Sequence, residues 1–196
     1  MPVFRFDSNA VIFFHVPKCG GTSVEYFLSQ KAEMDFFSKK SRVFGVPPQH
    51  LIPKKLFLLN IDLEGLSSFV IVRHPLKRMV SEFKYRKNLK VSNINFIRFI
   101  LFARVKSIYK PSIYSNHIRS QLDFILPDTK IFKLEEGGVE NAIKYALDAL
   151  KIKHVNCDSI PMKNQNHKED FDPSFFTRLL VFLLYFREFK FFNYRI

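Results

Sequence analysis

One short segment near the start of the chain gathers residue types that bind phosphate-like anions. It runs from His15 to Ser23 in the order His-Val-Pro-Lys-Cys-Gly-Gly-Thr-Ser. An apolar run at 11–14 precedes it, and a helix-like stretch at 24–28 follows it. Adjacent glycines let backbone N–H groups turn toward one point, and a helix start adds unpaired N–H groups at a positive dipole end. We therefore interpret the segment as an anion-binding loop for a nucleotide-like donor, in which Lys18 and the two hydroxyl side chains complete the cage.

The same residues allow two other interpretations. The glycine pair at 20–21 is also typical of a plain turn, and Thr22 with Glu25 fits the Thr-x-x-Glu capping box of a helix start. An ATP-binding loop of the Walker A type requires its lysine directly after the last glycine, whereas Lys18 precedes both glycines. No acidic strand of the Walker B type is evident in the sequence either.

A second set of basic and hydroxyl residues follows the apolar, β-branched segment 68–72. The predicted strand ends in Arg-His-Pro at 73–75, and a helix is predicted from about 75 to 89 because proline suits the first helical turn. On that helix Arg78 and Ser81 are three residues apart and share a face. A guanidinium at a strand end and a hydroxyl on the next helix can bind one phosphate from two sides. Taken alone, the pattern favours a basic, solvated helix face.

Both motifs resemble those of the sulfotransferases that use 3′-phosphoadenosine 5′-phosphosulfate (PAPS). The first is similar to the loop that binds the 5′-phosphosulfate, in the form found in the carbohydrate branch (sulfotransferase family 2) that includes heparan sulfate 2-O-sulfotransferase. The second is similar to the motif that binds the 3′-phosphate, with His74 where the pattern usually has aspartate. The resemblance implies that the donor is bound by Pro17, Lys18, Cys19, Gly20, Gly21, Thr22, Ser23, Arg73, Arg78 and Ser81.

Two later segments resemble the same family less specifically. Segment 116–121 is similar to an Asn-x-His-x-x-Pro-Gln element, with Ser120 in place of proline. Segment 185–194 is similar to a closing Tyr-x-x-Asp-Phe-x-x-Phe-Gly-Tyr element, with Glu188 for aspartate and Asn193 for glycine. We expect both elements to be structural. Their departures from the pattern leave open an inactive member of the family.

The reaction that the resemblance implies is transfer of a sulfuryl group to an acceptor hydroxyl, with adenosine 3′,5′-bisphosphate leaving. Lys18 and the loop N–H groups are expected to stabilise the charge that develops on the bridging oxygen. A general base should take the hydroxyl proton, and His50, in the sequence Pro-Pro-Gln-His, resembles the family's active-site histidine. His117 is a weaker candidate, for substrate contact. Glu25 or Glu64 is the candidate if the base is a carboxylate.

We expect no metal, because no cluster of residues has metal-ligand spacing. Cys19 and Cys157 are far apart in the sequence. Cys19 lies beside a predicted helix start, which would lower the pKa of its thiol, and it is interpreted chiefly as a small loop residue, with a reactive role as the alternative. His15 follows buried residues, and for it we expect a structural hydrogen bond.

The elements that must position these residues alternate between strands and helices. This alternation implies an α/β fold of P-loop type, a parallel sheet flanked by helices on both faces, with the anion loop at the carboxyl end of the first strand. Apolar β-branched runs predict strands at 11–16, within 39–46, at 68–72 and at 129–134. Helices are predicted at 22–32, 53–60, 75–89, 95–105, 138–152 and from 173 to about 189, with 107–120 irregular and 158–172 loop-like.

The composition favours one basic globular domain with anionic partners. The chain has 196 residues, 47% of them apolar, which predicts a single sulfotransferase domain over 1–196. A net charge of +13 favours a nucleotide donor, an acidic glycan or glycolipid acceptor, and peripheral contact with an anionic membrane. Nucleic acid is not expected, because no recognised nucleic-acid motif is present. The absence of signal-peptide architecture, with no apolar run near the roughly 20 residues that span a bilayer, predicts a cytoplasmic protein.

Two other classes of function remain as alternatives. An ATP-dependent P-loop kinase would need Mg²⁺ and a Walker lysine, neither of which the sequence offers clearly. A non-catalytic basic module that binds polyanions is supported by the charge alone. The two phosphate motifs favour the transferase over both.

Overall fold

The structure is a computed structural model, and it describes residues 1–38, 40–59, 65–88, 95–110, 112–153 and 171–196. Its centre is one five-stranded sheet with the strand order β3-β1-β2-β4-β5. The strands β2, β4 and β5 pair in parallel, whereas β1 runs antiparallel to both of its neighbours. The strand bounds are β1 Val3–Phe6, β2 Asn9–Phe14, β3 Glu33–Asp35, β4 Ser67–Val72 and β5 Lys130–Lys133.

The two central strands are buried on both faces, which explains their continuous apolar sequences. The residues Val11–Phe14 of β2 and Phe69–Val72 of β4 are almost completely inaccessible. Since successive side chains of a strand point to opposite faces, both sides of the sheet must be covered here. Phe13 pairs with Phe69 across the parallel ladder, and their rings stack with centroids 4.9 Å apart.

Helices flank the sheet and form two apolar cores. The helices α1 and α5 pack on each other, and α5 also contacts β2, β4 and β5. The helices α3, α4 and α6 pack together around a second cluster of buried side chains, which α7 completes. The helix bounds are α1 Gly21–Leu28, α2 Pro53–Phe57, α3 Pro75–Asn88, α4 Phe96–Tyr109, α5 Gly138–Ala149, α6 Phe175–Leu184 and α7 Phe186–Phe191.

The predicted α/β fold is confirmed. The sheet was predicted to be parallel, whereas β1 runs antiparallel to both of its neighbours, and further details of the prediction are wrong. The strands β1 and β3 were not predicted, and the described part of 39–46 holds only an isolated bridge between Val43 and Val46. The predicted last helix is broken at Tyr185, whose backbone leaves the helical region and whose hydroxyl donates to the carbonyl of Ile118. Short 3₁₀ turns occupy part of 107–120. The predicted loop at 158–172 lies almost wholly outside the described residues.

None of the helices in the described ranges combines the length and the apolar character that crossing a membrane requires.

Candidate active site

The loop between β2 and α1 presents backbone N–H groups at the start of a helix. Gly20 adopts φ 83° and is the N-cap of α1 without any side-chain cap. In the described part of the chain, no protein acceptor lies within hydrogen-bonding distance of the amide groups of Gly20, Gly21 and Thr22. Unpaired N–H groups at a positive dipole end are the elements of an anion site. The geometry of this loop therefore fits the anion-binding interpretation of its sequence.

Close packing explains why the loop needs two glycines in succession. A Cβ atom on Gly20 would lie 2.9 Å from a methyl group of Val139, and the positive φ would strain any other residue there. A Cβ atom on Gly21 would lie 2.4 Å from the Nε2 atom of His15. The loop is therefore pressed against α5 on one side and against a buried histidine on the other.

Lys18 places its ammonium group above an aromatic ring of the next βα unit. Its backbone has φ 69°, and its Nζ atom lies 4.2 Å from the ring centroid of Tyr85 on α3. Burial lowers the pKa of Lys18, while the nearby carboxylate of Glu82 opposes that shift. Among the residues that the structure describes, no carboxylate forms an ion pair with this ammonium, so its charge is available to an anionic ligand.

A hydrogen bond of Arg73 links the second motif, which begins at this residue, to the loop at 15–23. It follows the last residue of β4, and its Nη1 atom donates to the main-chain carbonyl of Lys18 at 3.2 Å. The strands β2 and β4 are parallel neighbours, so their carboxyl ends meet at one edge of the sheet. The two cationic side chains that the sequence assigned to opposite ends of a donor therefore lie side by side.

Arg78 occupies a different position from the one that the sequence predicted. It was predicted to bind the donor, but its side chain is fully buried, with Nε donating to the carbonyl of Pro17 and Nη2 to that of His117. Its hydrogen bonds therefore link the loop at 15–23 to the backbone of His117 from within the protein, so Arg78 is a positioning residue. Ser81, three residues later on α3, is only partly buried and remains free to contact a ligand.

The Cys19 side chain is also turned inward. Burial raises the pKa of its thiol to about 12, which corrects the expectation that the helix start would lower it. Its Sγ atom donates to Oε1 of Gln121 at 3.4 Å. A neutral, buried thiol of this kind supports the interpretation as a small loop residue and not the reactive alternative.

The capping box between Thr22 and Glu25 does not form. Thr22 is exposed, and no side chain caps α1. The carboxylate of Glu25 is instead buried and accepts a 2.5 Å hydrogen bond from Nδ1 of His15. The structural hydrogen bond expected for His15 is therefore present. Its partner is Glu25, the residue that the capping-box interpretation had assigned to the start of α1.

The buried side chain of Gln121 forms hydrogen bonds with three separate segments of the chain, at Cys19, Arg73 and Glu188. Its Oε1 atom accepts from the backbone N–H of Arg73 and its Nε2 atom donates to the carbonyl of the same residue, at 2.9 and 2.8 Å. The carboxylate of Glu188 on α7 accepts from both the amide side chain and the main-chain N–H of Gln121, at 2.7 and 3.1 Å. The two late sequence elements therefore meet directly beneath the motifs. Sequence reasoning expected them to be structural but did not connect them.

His74 performs a task that an acidic residue could also perform. Its Nδ1 atom accepts the N–H of Leu76 at 3.2 Å, as a capping side chain does at a helix start. Its Nε2 atom donates to the carbonyl of Arg195 at 2.7 Å. Burial lowers the pKa of His74, which favours the neutral ring that this pair of contacts requires. The departure from the Arg-Asp-Pro pattern therefore preserves an acceptor for the first turn of α3.

Three histidine rings form a row behind the anion loop. The ring of His50 lies 5.0 Å from that of His15 and 4.9 Å from that of His117, centroid to centroid. The Nδ1 atom of His50 lies 3.2 Å from the carbonyl oxygen of Ser115. Because a carbonyl oxygen only accepts, Nδ1 carries the proton, and Nε2 of the neutral ring keeps its lone pair. These three histidines are far apart in the sequence, and no local pattern predicts that their rings lie together.

Burial favours the neutral form of His50 and His117 in this row, although the carboxylate of Glu82 at its end opposes the effect on His117. Burial raises the pKa of Glu82, but His117, Arg86 and Lys18 outweigh that effect and lower it overall. Glu82 therefore stays ionised, with Arg86 at 2.6 Å and Nδ1 of His117 at 2.7 Å. Burial lowers the pKa of His117 despite that carboxylate. The pKa of His50 is lowered by burial first and then by the two neighbouring histidines.

The segment 114–116, which forms hydrogen bonds with His50, has an unusual backbone conformation. Tyr114, Ser115 and Asn116 all have φ between 55° and 66°, the left-handed region that costs a non-glycine residue about 1 kcal/mol. The amide of Asn116 donates to the carbonyl of His50 at 2.8 Å, and the Ser115 carbonyl faces the ring. Backbone strain of this kind concentrates at functional sites, because the surrounding contacts must enforce it.

The two candidates for a carboxylate base are Glu25 and Glu64, and the structure describes only the first of them. Glu25 is engaged with His15 behind the loop, so it does not face the space in front of Lys18. Glu64 lies outside the described residues. Within the described ranges, no group of three or more His, Cys, Asp or Glu side chains could hold a metal ion.

Comparison with known proteins adds one match. A family model described as "Sulfotransferase family" matches residues 1–195. The matched range contains both phosphate motifs, the row of histidines and the Gln121–Glu188 contact. Searches of curated proteins and of solved structures found no match.

Proposed function

Because the chain belongs to the sulfotransferase family, we propose that it transfers the sulfuryl group of PAPS to a hydroxyl group of a carbohydrate acceptor. Membership of the family supports sulfuryl transfer in general; the donor and the class of acceptor are the proposal. The form of the loop, His-x-Pro-Lys-x-Gly-Gly-Thr-Ser at 15–23, favours the carbohydrate branch.

The contact between Arg73 and the Lys18 carbonyl is the observation that carries the proposal. It places the strand-end guanidinium 3.2 Å from the main-chain oxygen of Lys18, in the loop whose amides are unpaired. A donor with a phosphosulfate at one end and a 3′-phosphate at the other needs two such anion sites. An ATP-binding loop needs only the first. The pairing therefore favours PAPS over ATP.

Within this proposal the loop stabilises the leaving group. PAPS supplies a sulfuryl group activated by its anhydride bond to phosphate. As the acceptor oxygen forms its bond to sulfur, the bond from sulfur to the bridging oxygen breaks, and the electron pair stays on the 5′-phosphate. Lys18 and the amides of Gly20, Gly21 and Thr22 hold the charge that appears there. Partial burial of Lys18 strengthens this interaction because little water screens it.

His50 is the general base of the proposed reaction. Its Nε2 atom accepts the proton that leaves the acceptor hydroxyl, and its Nδ1–H stays on the Ser115 carbonyl. Its lowered pKa keeps the ring unprotonated at neutral pH, so the base is available without prior deprotonation. His117, held by Glu82, lies beside it and is proposed to contact the acceptor.

The basic charge of the chain supports an acidic acceptor. A net charge of +13 attracts anionic saccharides and speeds their encounter with the site. We therefore propose an acidic glycan or glycolipid as the acceptor, and a cytoplasmic location for the reaction.

Calorimetry with the full chain tests the donor, and labelled transfer tests the reaction. Adenosine 3′,5′-bisphosphate should release heat on binding without a metal, and Mg-ATP should bind far more weakly. Labelled sulfate from PAPS should then appear on a member of a panel of acidic glycans. Binding of Mg-ATP alone would indicate a kinase, and salt-sensitive glycan binding without any donor-dependent product would indicate a non-catalytic module.

A further inference from the structure

Exposed apolar side chains are concentrated on three helices far along the chain from the anion loop. Twelve of the twenty-one large apolar side chains that are exposed in the described ranges belong to α4, α6 and α7. They include Ile108 at 66%, Tyr109 at 85% and Phe176 at 78% exposure. Exposed apolar groups are ordinary when scattered, but a cluster of them marks an interaction surface.

The exposed side chains of α4 form a continuous stripe. Ile97, Leu101, Val105 and Ile108 follow the spacing i, i+4, i+8, i+11, which keeps them within roughly a quarter turn of one another. The opposite side of the helix carries its buried residues, among them Phe99 and Ala103. The stripe therefore points away from the apolar core that α4 shares with α3 and α6.

The helix α6 adds a second stripe beside the first. Phe175, Phe176, Leu179 and Leu183 lie on one side of it, while Thr177 and Val181 are buried on the other. Since α4 and α6 pack against each other and turn their buried sides to the same core, their exposed stripes lie on neighbouring helices. We call these eight exposed side chains of α4 and α6 the apolar face.

The helices around the apolar face carry mainly basic charge, with Arg178 of α6 paired to the exposed carboxylate of Asp172. The three helices carry six basic residues and a single acidic one, Glu188, which is buried and bound to Gln121. Arg98, Arg187 and Lys190 are exposed and have no acidic partner in the described ranges. Lys106 lies over the ring of Phe102 at 4.1 Å, so its charge sits directly on the apolar surface.

We propose that the apolar face docks the protein on an anionic lipid membrane. Aromatic and branched side chains bordered by lysine and arginine enter the boundary between headgroups and acyl chains, while the basic groups meet lipid phosphates. Charge argues against a second copy of this chain as the occupant, because a two-fold interface would set the same positive residues against one another. The inference is independent of the proposed transfer reaction.

Vesicle sedimentation with the full chain tests the proposal. The protein should sediment with vesicles of phosphatidylcholine and phosphatidylglycerol, remain in solution with phosphatidylcholine alone, and be released by salt. The double variant Phe176→Ser, Leu183→Ser should lose at least about tenfold in vesicle affinity, because apolar area no longer enters the lipid. Leu58→Ser is a matched control, since Leu58 and Leu183 are both 64% exposed and Leu58 lies outside the face.

Charge is tested separately with Arg98→Gln, Lys190→Gln, against Lys31→Gln as the control on an exposed lysine elsewhere. The first variant should bind the anionic vesicles more weakly and the control should not. Circular dichroism on every variant separates lost binding from lost folding. The proposal is overturned if the protein does not bind anionic vesicles or binds neutral vesicles equally well. It is also overturned if Leu58→Ser loses as much vesicle affinity as Phe176→Ser, Leu183→Ser. A dimer in analytical ultracentrifugation that Phe176→Ser, Leu183→Ser converts to monomer would also overturn it.

Discussion

The guanidinium of Arg73 donates to the backbone carbonyl of Lys18 over 3.2 Å and so joins two positions that are 55 residues apart in the chain. Each residue follows a strand of the same parallel pair. The two anion sites that we propose would therefore lie at the same edge of the sheet, beyond neighbouring parallel strands.

Removal of either cation should weaken the binding of adenosine 3′,5′-bisphosphate. Because a hydrogen bond to a charged group contributes about 1.5–3 kcal/mol, Lys18→Ala and Arg73→Ala should each raise the dissociation constant by roughly 10- to 150-fold. Calorimetry measures this directly. Lys87→Ala, an exposed lysine on α3, is the matched control and should bind as the native chain does. Equal affinity in all four proteins would remove both residues from the donor site.

Replacement of His50 should separate binding from turnover. In His50→Gln, the loss of a general base should lower kcat by about 10²–10⁴-fold. Affinity for adenosine 3′,5′-bisphosphate should stay close to native, because Lys18 and Arg73 are intact. Rates with a saturating donor, together with calorimetry, distinguish the two effects. Transfer at the native rate would exclude His50 as the base.

The pH profile of transfer should carry the lowered pKa of His50. A base acts in its neutral form, so the rate should fall as pH drops through a pKa below the ordinary 6.5 and stay level just above it. Loss of the Lys18 proton, whose pKa is also lowered, should impose an alkaline limb below 10.5. Measurement of kcat/KM across this range gives both limbs. An acid limb centred above 6.5, or one that persists in His50→Gln, would contradict the assignment.

A methyl group at Gly21 should destabilise the native chain but not a chain that lacks the His15 ring. The added Cβ would lie 2.4 Å from Nε2 of His15, and overpacking of this kind costs about 1–3 kcal/mol. Urea unfolding of Gly21→Ala should show that loss. In a His15→Ala background the same change should cost much less, because the obstructing ring is gone. Additive effects of the two substitutions would contradict the packing account.

Loss of the Gln121 hydrogen bonds should damage both stability and donor binding. Gln121→Leu leaves the buried carboxylate of Glu188 without its amide partner and frees the backbone of Arg73. We expect a loss of about 2–4 kcal/mol in the free energy of unfolding, with weaker nucleotide binding in the protein that remains folded. Gln30→Leu, at an exposed position, is the control. Native stability in Gln121→Leu would show that the network is dispensable.

The parts of the fold that the sequence predicted are those governed by local patterns. The runs at Val11–Phe14 and Phe69–Val72 are continuous and apolar because both faces of the strands are buried, and such runs identify themselves. The strands β1 and β3 are only four and three residues long. β1 is held between β2 and β3, and β3 pairs with β1 from a distant part of the chain, so both strands are defined by pairing and not by a local periodicity.

The same distinction applies to the candidate site. Lys18 and Arg73 each carry a local motif, and the structure brings them together. Burial is a tertiary property, so the sequence could not show that Arg78 points inward or that the thiol of Cys19 has a raised pKa. The meeting of His50 with two other histidines is likewise set by chain segments that converge only on folding.

The histidine at position 74 makes the start of α3 sensitive to acid in a way that an aspartate would not. Its Nδ1 atom can accept the N–H of Leu76 only while the ring is neutral, and the same ring holds the main chain at Arg195. An aspartate keeps its acceptor to about pH 4, whereas this ring gains a proton below its own lowered pKa. Protonation of Nδ1 therefore removes the acceptor at the start of α3, while Nε2–H continues to donate to the carbonyl of Arg195, so a single proton ends one of the two contacts of the ring and leaves the other in place.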